Sequence, residues 1–422
     1  MRLPCGPSAR GRWWMPGGGT LRTGSGEGGV AGLAAVGLMH LITFSFPTKI
    51  LYGAGAVGAL AGQLEAMGVR RPLVVTDSGL LRTGAFGRLR AALGPGDEGA
   101  GWHLFSGVHP NPVEADVTEA AAAYREHRCD AVIALGGGSP LDVGKAVRLF
   151  GKRPELDLAA FDYRDDWSGL APFIAIPTTA GTGSEVGRSS VVTLAATNRK
   201  KVIFHPELLA RLVILDPELT RDLPPALTAA TGADALTHCI ESFTCPVFHP
   251  MCDGIALEGI RLVVEALPIA FRDGANLEAR GKMLMAAAMG AVAFQKDLGA
   301  CHSLAHPLST VCGLHHGLAN AVCLPPVLRF NAGRRPGLYR RVGVACGLDV
   351  QRASDADADA SAIGFLEEFL AGLGLGRRLR DLGVAERHLD ELTAQAFADG
   401  CHRTNVVPVT AADLRALYLE VF

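Results

Sequence analysis

Ala131-Val132-Ile133-Ala134-Leu135-Gly136-Gly137-Gly138-Ser139-Pro140-Leu141-Asp142 decides the fold of this chain. Its apolar first five residues read as a buried strand. The glycines then let backbone amides approach an anion closely, and Ser139 can donate or cap. Pro140 suits the first turn of a helix that also carries Asp142 and Lys145. A strand, a glycine loop and a helix start in that order would present a helix N-terminus to a pyrophosphate.

Outward from this stretch, short apolar runs alternate with helical patterns. Strand-like runs occupy 49–52, 72–76, 131–135, 173–176 and 212–215, and helical runs occupy 59–67, 81–93 and 117–126. Alternation of this kind predicts a parallel sheet covered by helices. Beyond Pro224 the strand signals fade. Stretches 280–296, 362–372 and 411–422 carry apolar residues at helical spacing, which predicts an all-helical second half. The expected division is therefore an α/β domain over 41–223 and a helical domain over 224–422. Residues 1–40, rich in Gly and Arg, are expected to be a disordered extension, with Met39 as an alternative start of the functional chain.

A second glycine loop competes for the phosphate. Gly53, Gly55 and Gly58 fit Gly-x-Gly-x-x-Gly between a short strand and a helix, and Asp77 ends the next strand about twenty residues on, the spacing of a dinucleotide fingerprint. Spacing alone leaves both loops open, and a plain turn is the alternative for either. The loop Pro177-Thr178-Thr179-Ala180-Gly181-Thr182-Gly183-Ser184-Glu185 follows another strand. Three such loops at one sheet edge favour a nucleotide site.

The second half carries two spaced pairs of potential metal ligands. Asp234 and His238 are four apart, so on a helix they project from one face. His302 and His316 belong to a run in which His306 also lies. A carboxylate with three imidazoles suits a borderline divalent ion such as Fe2+ or Zn2+. Both segments are otherwise apolar and small, where unpaired ionisable groups are costly to bury and a shared cation satisfies them.

Composition narrows the function. The 422 residues are 49% apolar and 19% charged, with 40 basic against 42 acidic residues. No cluster of Lys and Arg interleaved with aromatics exists, so no nucleic-acid partner is expected. No apolar run is long enough to span a bilayer, so no membrane partner is expected. The ten cysteines lack Cys-x-x-Cys spacing, which fits reduced thiols in a cytoplasm.

At this point the chain resembles the iron-containing, group III alcohol dehydrogenase family. The likeness runs from about Phe44 to the C-terminus and rests on stretches 72–77, 109–112 (His-Pro-Asn-Pro), 136–142, 177–185 and both metal segments. The resemblance implies a dehydroquinate synthase-like architecture, NAD as cofactor and a catalytic divalent metal, Fe2+ with Zn2+ as the alternative. It places the metal on Asp234, His238, His302 and His316, and His306 near the reacting oxygen as a candidate proton relay. The same resemblance puts the pyrophosphate on Gly137, Gly138 and Ser139 and demotes the Gly53 loop to a turn. Asn111, Asp142, Thr178, Thr179 and Lys200 match further cofactor positions. Asp77 matches the position facing the adenosine ribose, where a carboxylate would repel a 2'-phosphate and so favour NAD over NADP.

The expected reaction interconverts a primary alcohol and an aldehyde. Stretches 183–188, 253–259 and 293–299 look like the branch containing 4-hydroxybutyrate dehydrogenases, which makes 4-hydroxybutyrate and succinic semialdehyde the expected pair. Arg188 or Lys296 is the expected partner of the substrate carboxylate. A broad dehydrogenase for short alcohols, aldehydes or diols is the alternative. A dehydroquinate synthase-type or glycerol dehydrogenase-type enzyme is less favoured. A cytoplasmic homo-oligomer is expected from the resemblance.

Overall fold

Aliphatic and β-branched runs in the amino-terminal half pair into a single parallel sheet. The computed structural model describes residues 46, 48–94, 101–197 and 199–422. The expected extension over 1–40, with its alternative start at Met39, lies outside them. Eight strands occur among the described residues: β1 (Lys49–Tyr52), β2 (Pro72–Val75), β3 (His103–Phe105), β4 (Ala131–Gly136), β5 (Phe173–Pro177), β6 (Ser189–Leu194), β7 (Arg199–Phe204) and β8 (Leu212–Leu215).

Six of them form the sheet in the order β1-β8-β5-β4-β2-β3, and every pairing in it is parallel. The four central strands are buried along their whole length, whereas β1 and β3 at the edges are half exposed. Continuous burial is why the central strands read as unbroken apolar runs. Each fully buried aliphatic side chain there contributes about 1.5–3 kcal/mol.

Helices α1 (Leu60–Ala66), α2 (Gly84–Leu93), α3 (Glu114–Glu126) and α4 (Gly138–Lys152) accompany the sheet. The sequence expectation missed β3, which has three residues, and the antiparallel hairpin of β6 with β7. The hairpin buries only alternate residues of β6 and carries three consecutive basic residues in β7, so its apolar signal is thin. Helix α3 begins three residues before the expected 117, where Asp116 accepts from the Val113 N–H at 3.1 Å.

From Pro225 onward every regular element is helical. The longer ones are α5 (Pro225–Thr244), α6 (Pro250–Arg272), α7 (Leu277–Ala293), α8 (Ala300–Cys312) and α9 (His316–Arg334). They are followed by α10 (Arg340–Ala345), α11 (Asp355–Gly372), α12 (Leu389–Ala398) and α13 (Ala411–Glu420). The expected boundary at 223 falls between the turn Pro217–Thr220 and α5.

Local chemistry sets the helix ends. Pro225 opens α5 where no amide partner is needed. Asn276 accepts from Ala279 N–H at 3.0 Å to start α7, and Gly313, with φ 69°, closes α8 in the left-handed conformation. Helix α5 is buried almost all round, so polar residues on it must be satisfied within the protein.

Candidate metal and nucleotide site

The carboxyl edge of the sheet gathers the expected nucleotide loops. Gly136 ends β4 with φ 152°, and a Cβ there would lie 2.5 Å from Pro140 Cγ, so only glycine makes this turn. Gly137, Gly138 and Ser139 follow, half-buried, as the N-cap and first residues of α4. Their free amides point to an anion site at a helix N-terminus. Thr178 and Thr179 leave the adjacent β5; Thr178 N–H donates to Gly136 O at 2.9 Å, and Thr179 lies against the place where a Gly137 Cβ would sit.

Asp77 stands at the end of β2, its Oδ1 accepting from Leu80 N–H at 3.1 Å. Asn111, in the left-handed region with φ 54°, accepts from Lys200 Nζ at 3.2 Å. Burial holds the Lys200 ammonium below its ordinary range, against the pull of Asp142.

The competing glycine loop has its amides already used. Asp216 is fully buried, and its Oδ1 and Oδ2 accept from Gly55 N–H at 3.1 Å and Val57 N–H at 3.0 Å. A carboxylate of the protein sits where a phosphate would have to bind.

Two expected residues are engaged elsewhere. Asp142 accepts from Ser184 Oγ at 2.6 Å and from Val191 N–H at 3.0 Å, tying α4 to the start of the hairpin. Asp142 thus braces α4 against the hairpin, and its expected cofactor contact would have to be made alongside these two hydrogen bonds. Lys296 is 3% exposed and is ion-paired with Asp253, with Phe243 O at 3.2 Å. A paired and buried ammonium offers no free charge to a substrate carboxylate. Arg188 is half-buried, with Nη2 3.5 Å from Gln295 Oε1 and its guanidinium carbon 5.8 Å from the Phe204 ring centre.

The helical half brings all four expected ligands together. Asp234 and His238 project from one face of α5, His302 comes from α8, and His316 is the first residue of α9. The Nε2 atoms of His316, His302 and His238 lie 3.5, 3.7 and 4.0 Å from Asp234 Oδ1. Close helix approach makes this possible: a Cβ on Gly317 would be 1.9 Å from Ala230 O, so α9 can meet α5 here only through glycine.

Three residues that sequence reasoning did not single out complete the surroundings. Glu241 lies on the same face of α5 as Asp234 and His238, and its Oε2 accepts from His302 Nδ1 at 2.5 Å. With that proton committed, His302 Nε2 is left as a lone pair. Asn320, one turn after His316 and fully buried, places Nδ2 2.7 Å from Asp234 Oδ1, 3.3 Å from His302 Nε2 and 3.2 Å from His316 Nε2. Asp399 accepts from His306 Nδ1 at 2.9 Å. Helical spacing could have found Glu241 and Asn320, whereas Asp399 lies 93 residues from its partner.

The donor set fits a divalent cation. Several acceptors converge on the position held by the Asn320 amide, and a carboxylate with imidazoles suits Fe2+ or Zn2+. Electrostatics agree for Asp234, His238 and His316, whereas His302 would give up a proton to a bound cation. Burial opposes charge on Asp234, yet His238, His316 and His302 outweigh it and hold the carboxyl well below its usual range. Burial pushes His238 down to about 4 and His316 well below 6.5. Burial also works against charge on His302, but hydrogen bonds with Asp234 and Glu241 prevail and raise it to about 9. Among the described residues every cysteine is a free thiol, and no helix is long and apolar enough to cross a membrane.

Known proteins share this architecture. Residues 47–217 match the family described as iron-containing alcohol dehydrogenase, and residues 228–422 match the C-terminal part of the Fe-containing alcohol dehydrogenase family. A 4-hydroxybutyrate dehydrogenase of Cupriavidus necator is 40% identical over 389 residues, covering 88% of this chain and 97% of that protein. A crystal structure of 1,3-propanediol oxidoreductase superposes with a TM-score of 0.85 at 33% identity, covering 90% of this chain and all of that one. A sulfoacetaldehyde reductase from Bifidobacterium kashiwanohense, solved in complex with NAD+, gives a TM-score of 0.78 at 31% identity, covering 90% of this chain and 98% of its own. With both halves matched in sequence and structure, the chain belongs to the iron-containing alcohol dehydrogenase family and is an oxidoreductase.

Proposed function

We propose that the protein is an NAD-dependent, divalent-cation-dependent dehydrogenase that interconverts 4-hydroxybutyrate and succinic semialdehyde. The convergence of Asp234, His238, His302 and His316 carries the metal part of this reading. The relative from Cupriavidus necator supports the substrate, as does the place of Arg188. That cation lies against Gln295, whose neighbour Phe294 packs on His238 with ring centres 5.3 Å apart. Cytoplasmic location and homo-oligomeric assembly belong to the same proposal.

A bound divalent cation would supply Lewis-acid polarisation of the substrate oxygen, and a bound nicotinamide would supply the hydride acceptor. Asp234, His238, His302 and His316 hold the cation, with Glu241 fixing the orientation of His302. Gly137, Gly138 and Ser139 hold the pyrophosphate through backbone amides, Thr178 and Thr179 border the nucleotide, and Asn111 and Lys200 contact it. Asp77 faces the ribose and disfavours NADPH; faster turnover with NADPH than with NADH would refute that role. His306 takes the hydroxyl proton at Nε2, since its Nδ1 is committed to Asp399.

The second reading is a short-chain diol or alcohol dehydrogenase. It is favoured by the pairing of Lys296 with Asp253, which leaves Arg188 as the single remaining cation of the expected pair, and by the likeness to 1,3-propanediol oxidoreductase. NADH consumption with succinic semialdehyde and butyraldehyde separates the two. A preference of about tenfold or more in kcat/KM for the acid supports the carboxylate site; equal or better use of butyraldehyde, or no loss of that preference in Arg188→Ala, refutes it.

A further inference from the structure

We propose that Asp399 is a positioning residue for the proton relay, holding His306 in the tautomer whose Nε2 is the proton acceptor. The inference rests on the relay reading of His306 above. Asp399 caps the end of α12, far in sequence from the helix that carries His306. Its two oxygens are divided between support and function. Oδ1 accepts from Ser303 Oγ at 2.8 Å and from Cys401 N–H at 2.8 Å. Ser303 is itself fully buried and accepts from His402 N–H at 2.8 Å, so the support is a continuous chain.

Oδ2 is then left for His306 Nδ1 at 2.9 Å. An acceptor-only carboxylate at Nδ1 selects the Nδ1–H tautomer and leaves a lone pair on Nε2. The ring is further held by stacking on His316, with ring centres 5.2 Å apart and planes 11° apart. Its side chain remains 33% exposed, which leaves room for a reacting hydroxyl. In the oxidation direction the alcohol O–H bond breaks and its proton goes to Nε2. The hydride goes to the nicotinamide, and the Nδ1–H stays with Asp399.

Donor atoms of His306, Asp399 and Cys401 also lie within 4.8 Å of one another, a grouping that could hold a second cation. The hydrogen bonds argue against it. Both Asp399 oxygens are taken, and burial together with Asp399 pushes the Cys401 thiol well above its ordinary value, away from the thiolate a metal needs. Asp399 itself stays ionised: burial opposes this, but His306, Cys401 N–H and Ser303 outweigh it.

The test is a double-variant cycle on the metal-loaded enzyme: Asp399→Asn, His306→Ala and both together. Asp399→Asn should lower kcat about 100-fold, with KM for NADH and bound metal per chain unchanged. On the His306→Ala background the same change should cost less than about twofold, because a residue acting through His306 has nothing left to position. Nitrogen-15 spectra of labelled histidine in the Zn2+-loaded protein should show His306 as the Nδ1–H tautomer, and a shift toward Nε2–H in Asp399→Asn. Additive losses in the cycle, an unchanged tautomer, or full kcat in Asp399→Asn would overturn the proposal.

If Asp399→Asn loses metal, Ser303→Ala decides. A kcat about three- to tenfold lower with metal and KM retained supports the chain of support, and an unchanged kcat overturns it. A slow His306→Ala beside a fast Asp399→Asn removes only this inference. Full activity in His306→Ala removes the relay reading together with it.

Discussion

The two halves of the molecule build their sites from different materials. Around the sheet, the expected nucleotide contacts are mainly backbone: amides at Gly137, Gly138 and Ser139, aimed by the end of β4 and the start of α4. In the helical half the expected cation contacts are all side chains, drawn from α5, α8 and α9. A backbone site is written in one continuous stretch and depends on a few glycines. A side-chain site is spread over about eighty residues and depends on helices meeting at the right distance. The contrast predicts that damage to one half should leave the ligand of the other in place.

The largest effect should come from Asp234→Ala. It removes the one carboxylate that all three imidazoles face, and should abolish metal retention and lower kcat about 1000-fold or more. NADH affinity, followed by fluorescence titration, should stay within about twofold. Loss of NADH binding in this variant would break the separation of the halves.

Next comes a pH effect in the sheet half. Burial raises the Glu185 carboxyl to about 7 from its ordinary 4.5, and its Oε1 has no hydrogen-bond partner. A group raised on folding contributes its stability fully below the unfolded value, and that contribution is lost as pH rises through the folded value. Glu185→Gln should therefore be more stable than the parent by on the order of 2–3 kcal/mol above pH 7, with the gap closing below about pH 4.5. Thermal melts of both proteins, metal-free, across that window would show it; a gap that widens toward low pH would contradict the assignment.

A smaller change is expected for Glu241→Gln, which keeps the shape of the residue that orients His302. Metal affinity should fall about 10- to 100-fold in competition with a chelator, and NADH affinity should not move. The smallest is Asp216→Ala. It unties Gly55 N–H and Val57 N–H and should cost about 1–2 kcal/mol in denaturant unfolding, with KM for NADH unchanged. A rise in that KM would mean that the Gly53 loop, and not the Gly137 loop, meets the nucleotide.

That last pair of loops marks the limit of what the residues declare. Both have the right glycines after a strand, and Asp77 even sits at the fingerprint distance from the first. What separates them is Asp216, more than 150 residues away in sequence from Gly55, whose carboxylate uses up the amides of one loop and leaves those of the other. The central strands were legible because burial on both faces makes them unbroken apolar runs. Strand β3 was not, being a short half-exposed edge, and the hairpin of β6 and β7 was not, because Lys200 and Lys201 interrupt its alternation.

The expected cation ligands were legible as spacing, 234 with 238 on one helix, although no local pattern said that α9 would approach α5 closely enough to bring His316 beside them. Glu241 follows the same helical period and could have been read. Asp399 could not, since its meeting with His306 depends on where α12 ends. Lys296 looked like a free cation in sequence, and only its pairing with Asp253 shows otherwise.

The most direct test is to strip the protein of metal and measure NADH binding and NADH oxidation on the same sample, before and after anaerobic addition of Fe2+. Two separately built sites predict NADH affinity unchanged within about twofold throughout, no turnover of succinic semialdehyde or butyraldehyde in the stripped protein, and turnover restored in proportion to bound Fe2+. Turnover that persists in the stripped protein would contradict the assignment of Asp234, His238, His302 and His316 as the catalytic metal site.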